Sequence, residues 1–331
     1  MPAKPIPMPL MAAAPPARQA RSPAVRDLVT RHAPSDGVHK TAIDGLRLYR
    51  FSSPVEIGLA LYQPSMCLLV QGSKRVLLGE QVHVYDTLRH LVASQHLPAK
   101  GQVIGASPEA PYLCAELAID AGVVAELMLE MEQPVSPPGA SPAQGMYTEE
   151  TDGHLLDATL RLLELLDSPR DARLLGPAVK REIVYRLLTA PSGWRLARSV
   201  AASSHDRRVG RVISLLRERY REPLRIATLA QMVHMSESTL HLHFKAVTAM
   251  TPLQYQKKLR LLEARRLLMS GTMDAATAGH AVGYESPSQF SREYTRMFGE
   301  PPRRDQARLR VAGDQAGLRV GRTTISLTST S

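Results

Sequence analysis

Two stretches near the C-terminus repeat one arrangement of small, apolar and polar side chains. The first is Ile226-Ala-Thr-Leu-Ala-Gln-Met-Val-His-Met-Ser-Glu-Ser-Thr-Leu-His-Leu-His-Phe-Lys245. The second is Asp274-Ala-Ala-Thr-Ala-Gly-His-Ala-Val-Gly-Tyr-Glu-Ser-Pro-Ser-Gln-Phe-Ser-Arg-Glu-Tyr-Thr-Arg-Met-Phe298. Each holds a small residue, Ala230 or Gly279, where two helices can cross closely. Four residues on stands one that tolerates positive φ, His234 or Gly283. A large apolar pair four apart follows, Leu240 with Phe244 and Phe290 with Tyr294, which is one face of a 3.6-residue period. Each stretch therefore reads as a helix–turn–helix, the second with one extra residue in its turn. The residues left exposed beside the buried face are Ser238, His241 and Leu242, and Ser288, Gln289 and Arg292. Their chemistry is recognition of base edges: Arg292 offers two parallel donors to guanine, Gln289 a donor and an acceptor to adenine, Leu242 a contact for a thymine methyl. Lys245, Arg260, Arg296, Arg303 and Arg304 carry charge suited to phosphate.

The elements that must position these groups are marked in the sequence. Thr228-x-x-Gln231, Thr251-Pro-Leu-Gln254 and Ser286-Pro-Ser-Gln289 fit a capping box, the last two with Pro at the first helical position. Gly271 is placed to end a long connecting helix. Its apolar side is Leu259, Leu261, Leu262, Ala264 and Leu268, and it also bears Arg260, Arg265 and Arg266, some of which could hold acids of neighbouring helices instead of DNA. Charge points to the same partner. The 331 residues carry a net +10, and 207–310 hold 19 Lys/Arg against 9 Asp/Glu, so that segment accounts for the whole excess.

The stretch from about Arg208 to Arg304 resembles the DNA-binding domain of AraC-type (AraC/XylS) bacterial transcription regulators. The resemblance rests on Gly283-Tyr-Glu-Ser-Pro-Ser-Gln-Phe-Ser-Arg-Glu-Tyr294 and Phe298-Gly-Glu-Pro-Pro302. It implies an all-helical domain whose two second helices enter successive major-groove segments on one face of double-stranded promoter DNA. Ser238, His241, Leu242, Ser288, Gln289 and Arg292 match the family's base-contacting positions, although Leu242 departs from the polar residue expected there.

Upstream, from Gly37 to Asp120, short alternating runs are separated by Gly, Pro, Asp or Ser at a spacing near ten residues. This pattern predicts an antiparallel sandwich or barrel, with Gly79-Glu80 as a hairpin turn. Pro64-Ser-Met-Cys-Leu-Leu-Val-Gln-Gly-Ser-Lys-Arg-Val76 and Ala106-Ser-Pro-Glu-Ala-Pro-Tyr112 resemble the N-terminal domain of a subgroup of the same family. That resemblance implies a cupin-like β-barrel able to house a small effector. The expected fold is thus α+β: a cupin-like antiparallel β-barrel with flanking helices, then an all-α domain with two helix–turn–helix units. The expected division is a disordered tail at 1–35, the barrel at 36–133, a linker at 134–147, a helical segment for packing or dimerisation at 148–192, a second linker at 193–206, the DNA-binding domain at 207–305 and a disordered tail at 306–331.

No catalytic, cofactor or metal-binding constellation emerges. His241 and His243 stand two apart on a helix and so point about 200° from each other. His83, His90 and His96 lack the close His-x-His plus carboxylate arrangement of a metal-dependent cupin. Two cysteines make no disulfide framework, which favours a reduced, cytoplasmic setting, and no run approaches a membrane span. On an alternating strand Cys114 shares a polar face with Tyr112 and Glu116, while Leu113, Ala115 and Leu117 take the other. With Cys67, these make Tyr112 and Cys114 candidates for meeting an effector or an oxidant, against the reading of inert buried thiols. The expected function is a DNA-binding transcription regulator, an activator acting on RNA polymerase, with a small-molecule effector and a homodimer as further candidate partners. The alternatives are an effector-independent nucleic-acid binder whose barrel only oligomerises, and a cupin enzyme with a DNA-binding tail.

Overall fold

A computed structural model describes residues 16–131, 143–201, 204–271 and 273–308. Ten strands form two antiparallel sheets. The strands are β1 (Gly37–Lys40), β2 (Leu46–Phe51), β3 (Val55–Tyr62), β4 (Ser65–Gln71), β5 (Ser73–Leu78), β6 (Gln81–Asp86), β7 (Arg89–Ala93), β8 (Leu97–Gly105), β9 (Tyr112–Ala118) and β10 (Met146–Glu150). One sheet has the order β1-β2-β9-β4-β7-β10, the other β3-β8-β5-β6, and no ladder among the described residues closes them into one barrel. Residues expected in strands lie in strands, and the β5–β6 hairpin turns at Gly79 with φ +61°.

The six-stranded sheet is covered on both faces, which explains its apolar composition. On β9, Tyr112 and Cys114 face the core between the sheets, while Leu113, Ala115 and Leu117 face a second core under helices. On β4, Cys67 and Leu69 face the first core, and Met66, Leu68 and Val70 the second. The helices over that second core are α1 (Pro16–His32), α2 (Ala121–Glu130), α3 (Gly153–Glu164), α4 (Pro169–Thr189) and α5 (Gly193–Val200).

Three expectations need correction here. The N-terminal tail is not structureless throughout: α1 buries Val25, Leu28 and Val29, an i, i+3, i+4 stripe hidden among Pro, Ala and Arg. The stretch read as a second linker contains α5, whose Leu196 and Ala197 are buried. The first linker falls largely on 132–142, outside the described residues, but its last positions enter β10, which pairs with β7. The segments 1–15 and 309–331 also lie outside the described residues, whereas 302–308 are helical.

The C-terminal part is α6 (His205–Glu218), α7 (Ile226–Met232), α8 (Glu237–Thr248), α9 (Pro252–Met269), α10 (Ala275–Ala281), α11 (Pro287–Phe298) and the helix at 302–308. α9 carries the full capping box of Thr251 and Gln254 and ends before Gly271, at φ +74°. Thr228 does not cap: α7 begins two residues earlier, with Arg225 at the N-cap and no side-chain cap bond. The core between the sheets runs without a break into this part, through Val209, Leu216, Phe244 and Tyr255.

Candidate nucleic-acid interface

Helices α7 and α8 form one helix–turn–helix unit and α10 and α11 the other, with α9 between them. The turns are made as the sequence requires. His234 has φ +53° and Gly283 φ +90°. Ala230 is buried at the first crossing, and at the second a Cβ on Gly279 would stand 2.9 Å from the Phe290 ring. Gly283 is doubly constrained, since a Cβ there would meet the Arg221 carbonyl oxygen at 2.3 Å. Leu240, Phe244, Phe290 and Tyr294 are all fully buried.

Each second helix is capped by a serine. The Ser236 hydroxyl accepts from the Thr239 N–H, and Ser286 from the Gln289 N–H. The candidate base-reading residues all lie on exposed faces: Ser238, His241 and Leu242 on α8, and Ser288, Gln289 and Arg292 on α11. Leu242 is 61% exposed. Lys245, Arg296, Arg303 and Arg304 are exposed as well. His243, by contrast, turns inward. It stacks on His205 at 4.3 Å and lies 4.0 Å from the Asp206 carboxylate, which Arg198 also meets at 2.9 Å. Burial holds the His243 pKa below the usual histidine range. His241 and His243 therefore point apart, as helical spacing requires. His83, His90 and His96 stay separate: His90 lies 3.3 Å from the Thr151 hydroxyl and His96 3.3 Å from the Arg217 guanidinium.

Arg260 has a different place from the one expected. Its guanidinium donates to the carbonyls of Tyr220 (2.6 Å), Arg221 (3.0 Å), Glu222 (3.1 Å) and Gly283 (3.0 Å). A guanidinium with its donors spent on backbone clamps the α6–α7 loop and the second turn to α9, and has little left for phosphate. Arg265 and Arg266 hold acids, Asp305 at 2.9 Å and Glu263 at 2.6 Å. Sequence reasoning missed Glu293, which gathers Lys257 (2.9 Å), the Tyr284 hydroxyl (2.8 Å) and the Gln289 amide (3.4 Å). It thereby ties α11 to α9 and orients Gln289, one of the candidate base-reading side chains. The only signal for it was Gln289 and Glu293 standing four apart on one helix.

Two matched helix–turn–helix units, each presenting a polar second helix among exposed cations, define a DNA-binding protein of the double-unit class. Residues 42–195 match the family described as the AraC-type transcriptional regulator N-terminus, and residues 229–308 match a helix-turn-helix domain family. In these two domains the chain is similar to the AraC-type transcription regulators. It is similar to the HTH-type transcriptional activator RhaS of Escherichia fergusonii, 28% identical over 153 residues, which are 46% of this chain and 54% of that protein. RhaS of Pectobacterium carotovorum is 32% identical over 103 residues, 31% of this chain and 37% of that protein. The chain thus spans between a third and about half the length of these curated relatives. In fold it resembles ToxT of Vibrio cholerae solved with an unsaturated fatty acid, with a TM-score of 0.52 at 9% identity over 79% of this chain and 94% of that one.

Proposed function

We propose that this chain is a sequence-specific regulator of promoter transcription, reading DNA with α8 and α11 under the control of its N-terminal sandwich. The observation that carries it is the pair of second helices, each capped, each buried on one face and each exposing the residues suited to base edges. In this reading Ser238, His241 and Leu242 meet one major-groove segment and Ser288, Gln289 and Arg292 the next, while Lys245, Arg296, Arg303 and Arg304 meet phosphates. Likeness to the activator RhaS favours activation over repression, with RNA polymerase as the partner in this reading. A small effector acts by binding the DNA-competent and incompetent arrangements with different affinity. The ToxT structure holding a fatty acid favours the N-terminal part as its site. Exposed Leu174 and Leu175 on α4 give the surface for pairing two chains. No described helix is long and apolar enough to cross a membrane.

Selection of binding sites from a random duplex pool, at fixed near-physiological salt, tests the reading. Full-length protein should enrich a motif spanning two major-groove segments. The double variant Gln289→Ala, Arg292→Ala should keep one half and lose the other, at about 1–3 kcal/mol per bidentate contact. Enrichment of nothing by the unsubstituted protein, with or without candidate effectors, would remove sequence-specific recognition and leave only charge-driven binding.

A further inference from the structure

The two cysteines of the chain, far apart in sequence, meet inside the sandwich. Strands β4 and β9 pair with Cys67 opposite Glu116 and Leu69 opposite Cys114, so the thiols are diagonal neighbours on one face. Both are buried, and each thiol lies close enough to shift the ionisation of the other. Lys74 reaches the same interior from β5 of the opposite sheet. It is 7% exposed, and among the described residues no carboxylate forms an ion pair with it. The nearest acid, Glu116, is taken by Arg47 at 2.9 Å and by the Tyr49 hydroxyl. The Tyr85 hydroxyl is buried there without a partner.

A buried ammonium without a carboxylate is costly unless another group supplies the negative charge. The Lys74 ammonium lies over the Tyr62 ring, 5.3 Å from its centroid, and the other groups whose negative charge would favour it are the two thiols and Glu116. The neighbouring Cys67 and the charge on Lys74 pull the Cys114 thiol below its ordinary pKa, while the neighbouring Cys114 and burial push Cys67 up. A thiol eased toward ionisation beside a second thiol is the arrangement that reactive dithiols use.

We propose that Cys67 and Cys114 are a redox pair that a hydroperoxide converts to an intramolecular disulfide inside the sandwich. The Cys114 thiolate attacks the terminal peroxide oxygen. An S–O bond forms, the O–O bond breaks, and the departing alkoxide takes a proton from Lys74 and leaves as the alcohol. Cys67 then attacks the sulfenic sulfur. An S–S bond forms, the S–O bond breaks, and hydroxide leaves with the Cys67 proton as water. The dithiol loses two electrons and the peroxide gains them, and the site loses one thiolate and one ammonium charge together.

The fold gives this chemistry a mechanical consequence, which rests on the DNA-binding reading. Diagonal partners in an antiparallel pair stand about 7–8 Å apart, more than the 4.4–6.8 Å between Cα atoms of a disulfide. Closing the bridge must draw β4 and β9 together beside the register shift at Leu69/Gln71. Lys74 sits on β5, and β5 ends in the hairpin whose Gly79 lies against Ala249, between α8 and α9. A shift at the thiols is thereby carried along one strand to the back of the first recognition helix.

The test uses the full-length chain, reduced and then treated with hydrogen peroxide. The expected product is monomeric, resists thiol alkylation, yields a peptide linking Cys67 to Cys114, and reverts with dithiothreitol. Cys67→Ser should stop at a sulfenic acid on Cys114 that dimedone traps. Lys74→Met should slow oxidation about tenfold or more, because the charge that favours the Cys114 thiolate and the proton for the leaving alkoxide are both lost. Two thiols that still alkylate fully after treatment would overturn the proposal, as would bridges only between chains or sulfinic acid without a bridge. The peptide map of the unsubstituted protein decides this even where a variant fails to fold. DNA titration of the oxidised and reduced forms separates the two readings. Equal affinity in the presence of the bridge removes the regulation. No sequence-specific binding in either state removes the DNA reading and leaves the thiol chemistry standing.

Discussion

At the scale of single residues, Arg260 and Arg296 are two arginines of the basic segment with quite different surroundings. Both are arginines on helices of the basic segment, and sequence alone assigned both to phosphate. Arg296 is exposed, whereas Arg260 donates to four backbone carbonyls. Arg296→Ala should therefore lower the slope of log affinity against log salt by about 0.9, the release of one counterion's worth of phosphate contact. Arg260→Ala should leave that slope unchanged and instead destabilise the fold by roughly 3 kcal/mol or more, because hydrogen bonds from a charged donor are lost together. Affinity titrations at several salt concentrations and urea unfolding distinguish the two, and an Arg260 variant with a shallower slope and unchanged stability would reverse the assignment. The sequence could show positions whose demands are local. Positive φ at His234 and Gly283 and the small residue at Gly279 were legible because turn and crossing sterics act within one unit. The parity of Tyr112 and Cys114 on β9 was legible because a strand alternates by two. The partners of Arg260 were not, since they lie some 20 to 40 positions away and are backbone, which has no identity to read.

At the scale of elements, the helix at 302–308 completes the second unit. Its Asp305 is fully buried, bonded by Arg265 of α9 (2.9 Å), by the Tyr294 hydroxyl of α11 (2.7 Å) and by Arg308 (2.7 Å). Burial alone would raise the Asp305 carboxyl, but the Tyr294, Arg265 and Arg308 donors outweigh it and hold the pKa below the ordinary 3.8. A depressed pKa in the folded state means stability that is fully present above the unfolded value and is lost as pH falls through the folded one. Asp305→Asn should cost roughly 3 kcal/mol at neutral pH, because Arg265 keeps its charge in a buried site. The deficit should begin to shrink below about pH 4, where the unfolded parent starts to take up the proton, and should close as pH falls through the lower folded value. Unfolding curves at neutral and acid pH check it, and a deficit of equal size at both would assign the loss to packing. Sequence reading ended the domain at this residue because the next ones are polar. It likewise passed over α1, β1, β3 and β10, whose apolar residues are few and which are held by the sheet or core they join. Where an element's own pattern is strong, as in α3, α9 and α11, reading and structure agree.

At the scale of the molecule, the N-terminal sandwich and the first helix–turn–helix unit share one seam. The Tyr255 hydroxyl of α9 donates to the His96 carbonyl at 2.7 Å, and the Gly145 N–H donates to the Val247 carbonyl of α8 at 3.0 Å. The tip of the β5–β6 hairpin rests on Ala249. Nothing in either half of the sequence announces this seam, since each half forms its own elements and the contact joins residues more than 100 positions apart. Its consequence is asymmetric: α8 and α9 are hydrogen-bonded to the sandwich, while α11 faces the β5–β6 hairpin only across a pocket lined by Gly79, Gln81, Glu293 and Arg296. A signal from the sandwich should therefore reach the first unit before the second. Tyr255→Phe removes one hydroxyl and leaves the His96 carbonyl without its donor, a loss of about 1–3 kcal/mol for a buried group. Hydrogen exchange on the full chain should then show faster exchange at the Gly145 amide and in the β5–β6 hairpin, because local opening of the seam requires less free energy. Amides of α10 and α11 should exchange as before. Unchanged protection at Gly145, or equal loosening of both units, would mean that the seam does not couple the sandwich selectively to the first recognition helix.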